Sequence, residues 1–252
     1  KKSRDATRLS SEAVRDDIDA FVAVGGDGTV NECLIGLVNS NTALGVIPCG
    51  SGNGFAYHIG MGRTVEKAIV QLKNAKIETI DSCTANGAPF VNVSGIGFDA
   101  HISNLFAGLK ERGFINYVKL ILKELSYKPQ EYTLQYEGIK RKIKAYMISF
   151  ANASQYGNNA RISPMADLQD GLLDFVIVKA FPKWQIPFFL LKVARGKTHF
   201  SKYVEIIQSK HMKISANNTL LHLDGEPYKA KNPVEIQLLP KSLKILMPNG
   251  KK

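Results

Sequence analysis

Two glycine clusters, each set between an apolar run and a helical pattern, constrain this chain most. The first is Val24-Gly25-Gly26-Asp27-Gly28-Thr29-Val30-Asn31-Glu32, and the second is Pro48-Cys49-Gly50-Ser51-Gly52-Asn53-Gly54-Phe55-Ala56. Apolar runs predict strands at Ile18–Val24 and Ala43–Ile47. Helical spacing predicts helices near Ala6–Val14, Val30–Val38, Gly54–Ile59 and Thr64–Asn74. Strands that end in glycines and alternate with helices imply a parallel sheet with a ligand crevice at the strands' carboxyl ends. Glycine lets a backbone approach a phosphate closely, and the free N–H groups of the next helix supply positive potential. Both clusters therefore read as phosphate cradles, with Ser51 and Asn53 adding a hydroxyl and an amide.

Asp27 stands inside the first cradle, where a bare carboxylate repels phosphate unless it bonds a sugar hydroxyl or acts through Mg²⁺. A tight turn with an Asx-type cap is the plainer reading of the same residues. The loop is neither a Walker A motif, since GxxxxGK[ST] is absent, nor a Rossmann fingerprint, since its glycines are wrongly spaced.

Two acidic segments follow. Leu223-Asp224-Gly225-Glu226-Pro227 offers two carboxylates that can divide the work of holding a polar network and taking a proton from a hydroxyl; it also reads as a hairpin turn. Asp167-Leu168-Gln169-Asp170-Gly171-Leu172-Leu173-Asp174 offers oxygens suited to a hard cation such as Mg²⁺.

From about Ile77 the texture changes to short alternating segments: Phe90–Val93, Glu131–Tyr136, Ile143–Phe150, Leu172–Val178, Lys202–Ile207, Leu220–Leu223 and Val234–Leu239. These predict an antiparallel sheet or sandwich, interrupted by helical insertions at Ile102–Tyr127 and Pro182–Ala194. The fold class expected is thus an N-terminal nucleotide-binding α/β domain followed by a C-terminal antiparallel β-sandwich. The division is placed at residues 1–79 and 80–241.

Lys and Arg number 33 against 22 Asp and Glu, a net charge of +11 that draws a protein toward nucleotides, nucleic acid or anionic membrane. Zinc-finger spacing, basic-region heptads and RNP motifs are absent, so nucleic acid is not the expected partner. Cys33, Cys49 and Cys83 are scattered and read as free thiols of a reducing compartment. With no apolar leader and no run near the roughly 18 residues a membrane span requires, a cytoplasmic location is expected. His58, His101, His199, His211 and His222 show no metal or triad pattern and read as surface or packing positions. The segment Trp184–Lys192 suits either a membrane interface or a helix packed on the sandwich. The oligomeric state is open, a homodimer included.

In order and spacing, GGDGTVNE, PCGSGNGFA, DGLLD and LDGEP resemble the bacterial diacylglycerol kinase and lipid kinase family, whose relatives include sphingosine and ceramide kinases. The resemblance covers nearly the whole chain. It implies an NAD-kinase-like first domain, completed by a returning strand at Leu243–Met247 within 242–252, with ATP in the interdomain cleft. Gly25, Gly26, Asp27, Gly28, Thr29, Val30 and Asn31 match the nucleotide loop, and Ser51 replaces a threonine of the second nucleotide contact. Asp167, Asp170 and Leu172, the last through its carbonyl, fall at a Mg²⁺ position. Glu226 falls at the proton acceptor with Asp224 beside it, and spacing does not decide between them.

The implied reaction is transfer of the γ-phosphoryl group of ATP to the hydroxyl of a membrane lipid, a diacylglycerol or a sphingoid or ceramide type, with transient contact to anionic membrane. Two departures stand out: a preceding strand and NPxxG-like loop of the family are not in this sequence, read as truncation, and Gly54 replaces the aspartate of a GTxND motif. A soluble-substrate kinase of the NAD-kinase-like superfamily and a non-catalytic nucleotide-binding regulator remain as other readings.

Overall fold

The structure, a computed structural model, describes residues 5–109 and 114–249. Helix α1 (Asp5–Arg15) precedes strand β1 (Ala20–Gly25), helix α2 (Asp27–Leu37), strand β2 (Ala43–Pro48) and helices α3 (Gly54–His58) and α4 (Val65–Lys73). β1 and β2 pair in parallel from Ala20 opposite Ala43 to Gly25 opposite Pro48. That register brings the two glycine clusters out at the same edge of the sheet. α2 buries Val30, Cys33, Leu34 and Leu37, the i, i+3, i+4, i+7 stripe of a helix with one apolar face. A β-carbon on its Gly36 would collide with α1 at Ser10 and Ser11, so the glycine lets the two helices touch.

The remaining strands are antiparallel to their neighbours over most of their length. They are β3 (Lys76–Ala85), β4 (Ala88–Phe90), β5 (Val93–Gly97), β6 (Gln130–Tyr136), β7 (Ile139–Ala151), β8 (Leu173–Lys179), β9 (Val204–Ser209), β10 (His211–Ala216), β11 (Leu220–Leu223), β12 (Glu226–Lys229) and β13 (Val234–Met247). Helices α5 (Phe98–Ala107) and α6 (Phe114–Lys123) separate β5 from β6. α7 (Ile186–Ala194), flanked by 3-10 turns at Lys183–Gln185 and Thr198–Phe200, separates β8 from β9. Alternate residues face one core: Tyr132 and Leu134 on β6, Ile148 and Phe150 on β7, Leu173, Phe175 and Ile177 on β8, Met212 and Ile214 on β10. This is the period of two expected of strands, each such side chain contributing about 1.5–3 kcal/mol by leaving water.

β13 joins the two halves. Its first part pairs antiparallel with β10, and Ile245 pairs in parallel with Leu44 of β2. β3 runs antiparallel to it throughout, with an irregularity between Leu239 and Leu243. The expected divisions after 79 and 241 thus fall inside continuous strands. A buried polar knot holds the irregularity: Asp81 accepts from the N–H groups of Lys241 (2.7 Å) and Gly171 (2.9 Å), and the Ser82 and Ser242 hydroxyls are 2.6 Å apart.

Several expected elements differ. α2 starts at Asp27 rather than Val30, because the N–H groups of Thr29 and Val30 already donate to the Gly26 carbonyl. Phe90–Val93 is not one strand: the N–H groups of Val91 and Asn92 donate to the Asp224 carboxylate, which separates β4 from β5. β3, β10 and β12 were not anticipated, and the Ile102–Tyr127 insertion holds two helices; its residues 110–113 lie outside the described residues, as do 250–252 of the expected returning segment. Among the described residues no helix is long and apolar enough to cross a membrane.

Candidate active site

The glycine loops touch backbone to backbone. The Cys49 N–H donates to the Gly25 carbonyl at 2.9 Å, and a β-carbon on Gly26 or Gly50 would stand 3.0 or 2.5 Å from the other's Cα. Asp27 ties the loops together: its two carboxylate oxygens accept from the N–H groups of Gly54 and Phe55, both at 3.0 Å, at the start of α3. Burial raises its pKa and these bonds oppose the rise. Asp27 is thus neither free in the cradle nor the cap of its own helix. α2 has Gly26 as N-cap, which offers no side chain to the first-turn amides, although the Thr29 N–H donates to the Gly26 carbonyl.

The second loop is held from the sandwich side. Asn53, at φ 55°, exchanges hydrogen bonds with Gly50 (2.7 and 2.8 Å), while the Asn158 side chain and N–H reach the carbonyls of Ser51 (2.7 Å) and Gly52 (3.3 Å). Ser51 itself is exposed. Gly54 is buried, and a β-carbon there would collide with Asn92 and the backbone of Gln155 and Tyr156, so this loop has no room for the aspartate of GTxND.

β11 and β12 form a hairpin whose two-residue turn, Asp224 and Gly225, has φ 50° and 94°, a geometry that suits Asp-Gly. The hairpin reading of LDGEP is thus the one this turn shows. Asp224 is buried, and its carboxylate accepts from Asn31 (3.0 Å), Val91 N–H (3.0 Å) and Asn92 N–H (2.8 Å). Burial pushes its pKa up to about 6, against the pull of these three donors, and the charge of Asp27 adds to the rise. Asn31 also donates to the Pro89 carbonyl, so its amide links helix and hairpin. Glu226 is exposed and lies against Gly28, where a β-carbon would strike its carboxylate oxygen. The structure therefore brings Gly25, Gly26, Asp27, Gly28, Asn31, Asp224 and Glu226 together where the glycine loops meet the hairpin. Thr29 packs its hydroxyl over Gly25, and Val30 faces the core.

Asp167 and Asp170 lie elsewhere on the junction. Each accepts on one oxygen from the N–H two residues ahead, Gln169 and Leu172, at 2.9 Å, and the loop docks on β3 through Gln169 to the Thr79 carbonyl and Gly171 N–H to Asp81. Partial burial, then the charges of Asp167, Asp174 and Asp81, raise the Asp170 pKa. Among the described residues no three His, Cys, Asp or Glu side chains are grouped to hold a metal. Asp167 and Asp170 are exposed, and their carboxylates, with the Leu172 carbonyl, are oxygen donors of the type a hard cation takes.

Sequence reasoning missed the support of the hairpin. His222 is buried; its Nδ1 accepts from Gly225 N–H at 3.2 Å, and its Nε2 lies 3.4 Å from Asp99. Asp99 also accepts from Ser149 (3.2 Å) and Tyr156 (3.1 Å), while Ser103 donates to the Gly225 carbonyl. A signal existed: Ser94-Gly95-Ile96-Gly97-Phe98-Asp99 repeats the pattern of glycines between strand and helix.

Residues 1–85 match the family described as diacylglycerol kinase catalytic domain, and residues 92–247 that described as YegS C-terminal NAD kinase beta sandwich-like domain. The chain is 29% identical to "Probable lipid kinase YegS-like" of Chromohalobacter salexigens, over 98% of this chain and 81% of that protein. It is 28% identical to a diacylglycerol kinase of Bacillus subtilis, over 98% and 84%. A crystal structure of a diacylglycerol kinase from Bacillus anthracis superposes with a TM-score of 0.77 at 22% identity, over 99% and 83%, which shows a shared fold. With both halves matched in sequence and the glycine loops and hairpin in contact in the fold, the chain belongs to the diacylglycerol kinase and YegS-like lipid kinase family.

Proposed function

We propose that this protein transfers the γ-phosphoryl group of ATP to the hydroxyl of a membrane lipid, of the diacylglycerol or sphingoid and ceramide type. The observation that carries the reading is the contact of Glu226 with Gly28: an exposed carboxylate meets the start of α2, which has no side-chain cap, where the two glycine loops join. The first-turn amides of α2 and the glycine backbone bind phosphate oxygens, and Ser51 on the exposed rim of the second loop contacts the nucleotide. Asp27 keeps the loops in register without facing the phosphates.

Glu226 takes the proton of the attacking hydroxyl as its oxygen bonds to the γ-phosphorus and ADP leaves. Asp224 is the less suitable base, since all three donors around it are satisfied by its carboxylate; it positions the turn that carries Glu226. Asp167, Asp170 and the Leu172 carbonyl are the residues that would hold Mg²⁺, which when bound would supply positive charge against the acidic loop at the domain junction.

The test is transfer of labelled γ-phosphate from ATP, with Mg²⁺, to a panel of lipid alcohols in vesicles. Label in one lipid class supports the reading and names the substrate. Label only in a water-soluble acceptor, or ATP binding without transfer to any lipid, overturns it.

A further inference from the structure

α7 has two unlike faces. Val193 and Phe189 turn inward, and Phe189 meets Phe181, which meets Tyr146 and Tyr203 in turn. The opposite face carries Phe188 and Leu191, exposed by 58% and 46%, and Trp184 of the preceding 3-10 turn, exposed by 67%, meets Phe188 with ring centroids 6.4 Å apart. Phe200 (68% exposed) stands across a groove from Phe188, with Lys192 and Lys202 on its walls. Single exposed apolar residues are ordinary, but four large ones side by side mark a contact surface.

The charge around them selects the partner. Between Ala180 and Val204 there is no Asp or Glu, while Lys183, Arg195, Lys197 and Lys202 are exposed beside the apolar stripe. An aromatic ridge on a segment with exposed basic and no acidic side chains suits an anionic bilayer interface, where rings enter the headgroup region and cations meet lipid phosphates. A helix of nine residues lies in that interface and does not cross it.

The ridge is also wired to the crevice. Arg161 N–H donates to the Val193 carbonyl at 3.0 Å, and Thr198 donates to the Arg161 carbonyl at 2.6 Å. The same segment, through Asn158, holds Ser51 and Gly52 of the second glycine loop. We infer that α7 and its flanking turns are a membrane-docking ridge that seats the protein on anionic phospholipid and turns the crevice toward the bilayer. The choice of lipid surface as occupant rests on the lipid-kinase reading, whereas the test does not.

Trp184 is the one tryptophan of the chain, so its emission reports this ridge alone. With vesicles of phosphatidylcholine containing phosphatidylglycerol, the emission should shift to the blue and be quenched by brominated acyl chains; pure phosphatidylcholine should do much less. Lys197→Glu with Lys202→Glu, and separately Phe188→Ser with Leu191→Ser, should each weaken vesicle binding about tenfold or more. All four side chains are at the surface, and unchanged thermal unfolding checks that the variants fold. Vesicle binding with unmoved Trp184 emission, equal binding to both vesicle types, or no binding overturns the inference. A concentration-dependent blue shift without vesicles assigns the ridge to a second copy of the chain and overturns it as well. None of these readouts requires ATP, and transfer to a detergent-dispersed lipid tests the kinase reading apart from docking.

Discussion

The loop after β1 and the loop after β2 share composition, strand-end position and a nucleotide assignment, yet their glycines do different work. At Gly28 the neighbour that excludes a β-carbon is the end of the Glu226 side chain, which can swing away. At Gly50 the neighbours are the Gly26 backbone and the Asn53 amide, and at Gly54 they include the backbone of Gln155 and Tyr156. The first loop is therefore closed by a movable carboxylate and the second by fixed main chain. A ligand that contacts both loops can displace the former and must conform to the latter.

The pin between the first loop and the hairpin carries the largest expected stability effect. Asp224 ionises near 3.8 when unfolded and near 6 when folded, so the folded state holds the proton longer. Its contribution is complete below pH 3.8 and is lost as pH rises through about 6, a swing of about 3 kcal/mol. Urea unfolding of the parent and Asp224→Asn should show that swing as the pH-dependent part of their difference. Equal pH profiles would mean that Asp224 is not buried as described.

Gly50→Ala comes next, at about 2 kcal/mol of destabilisation, since one backbone must move off another. Gly28→Ala is the smallest in stability, under about 1 kcal/mol, because only the end of Glu226 has to shift. It should nonetheless lower phosphoryl transfer by about tenfold to a hundredfold, for a displaced base is costly even at 1 Å. Thermal melts beside transfer rates separate the pair. If Gly28→Ala unfolds as readily as Gly50→Ala, the contrast between the loops fails.

Much of this plan is visible in local sequence. GGDG and GSGN fall at strand ends because apolar runs precede them and helical spacing follows, and Asp-Gly marks the β11–β12 turn. What local sequence does not carry is the choice of partner across the fold. Asp27 bonds the amides of Gly54 and Phe55, Asp224 those of Val91 and Asn92, and Asp81 that of Lys241, at separations from 27 to 160 residues. Asp27 and Asp224 stand out in the sequence as candidate site residues and Asp81 does not, yet in the fold all three carboxylates accept from distant main-chain amides. The same distance hid the break after Phe90 and the buried Asp99–His222 pair.

The central claim is that Glu226 takes the proton in a crevice whose nucleotide contacts it does not provide. Single-turnover transfer from ATP to the identified lipid acceptor, with ATP affinity measured in parallel, tests it in Glu226→Gln. Unchanged ATP binding and a rate at least about a hundredfold lower are expected. A rate within about tenfold of the parent would place the base elsewhere and contradict the assignment.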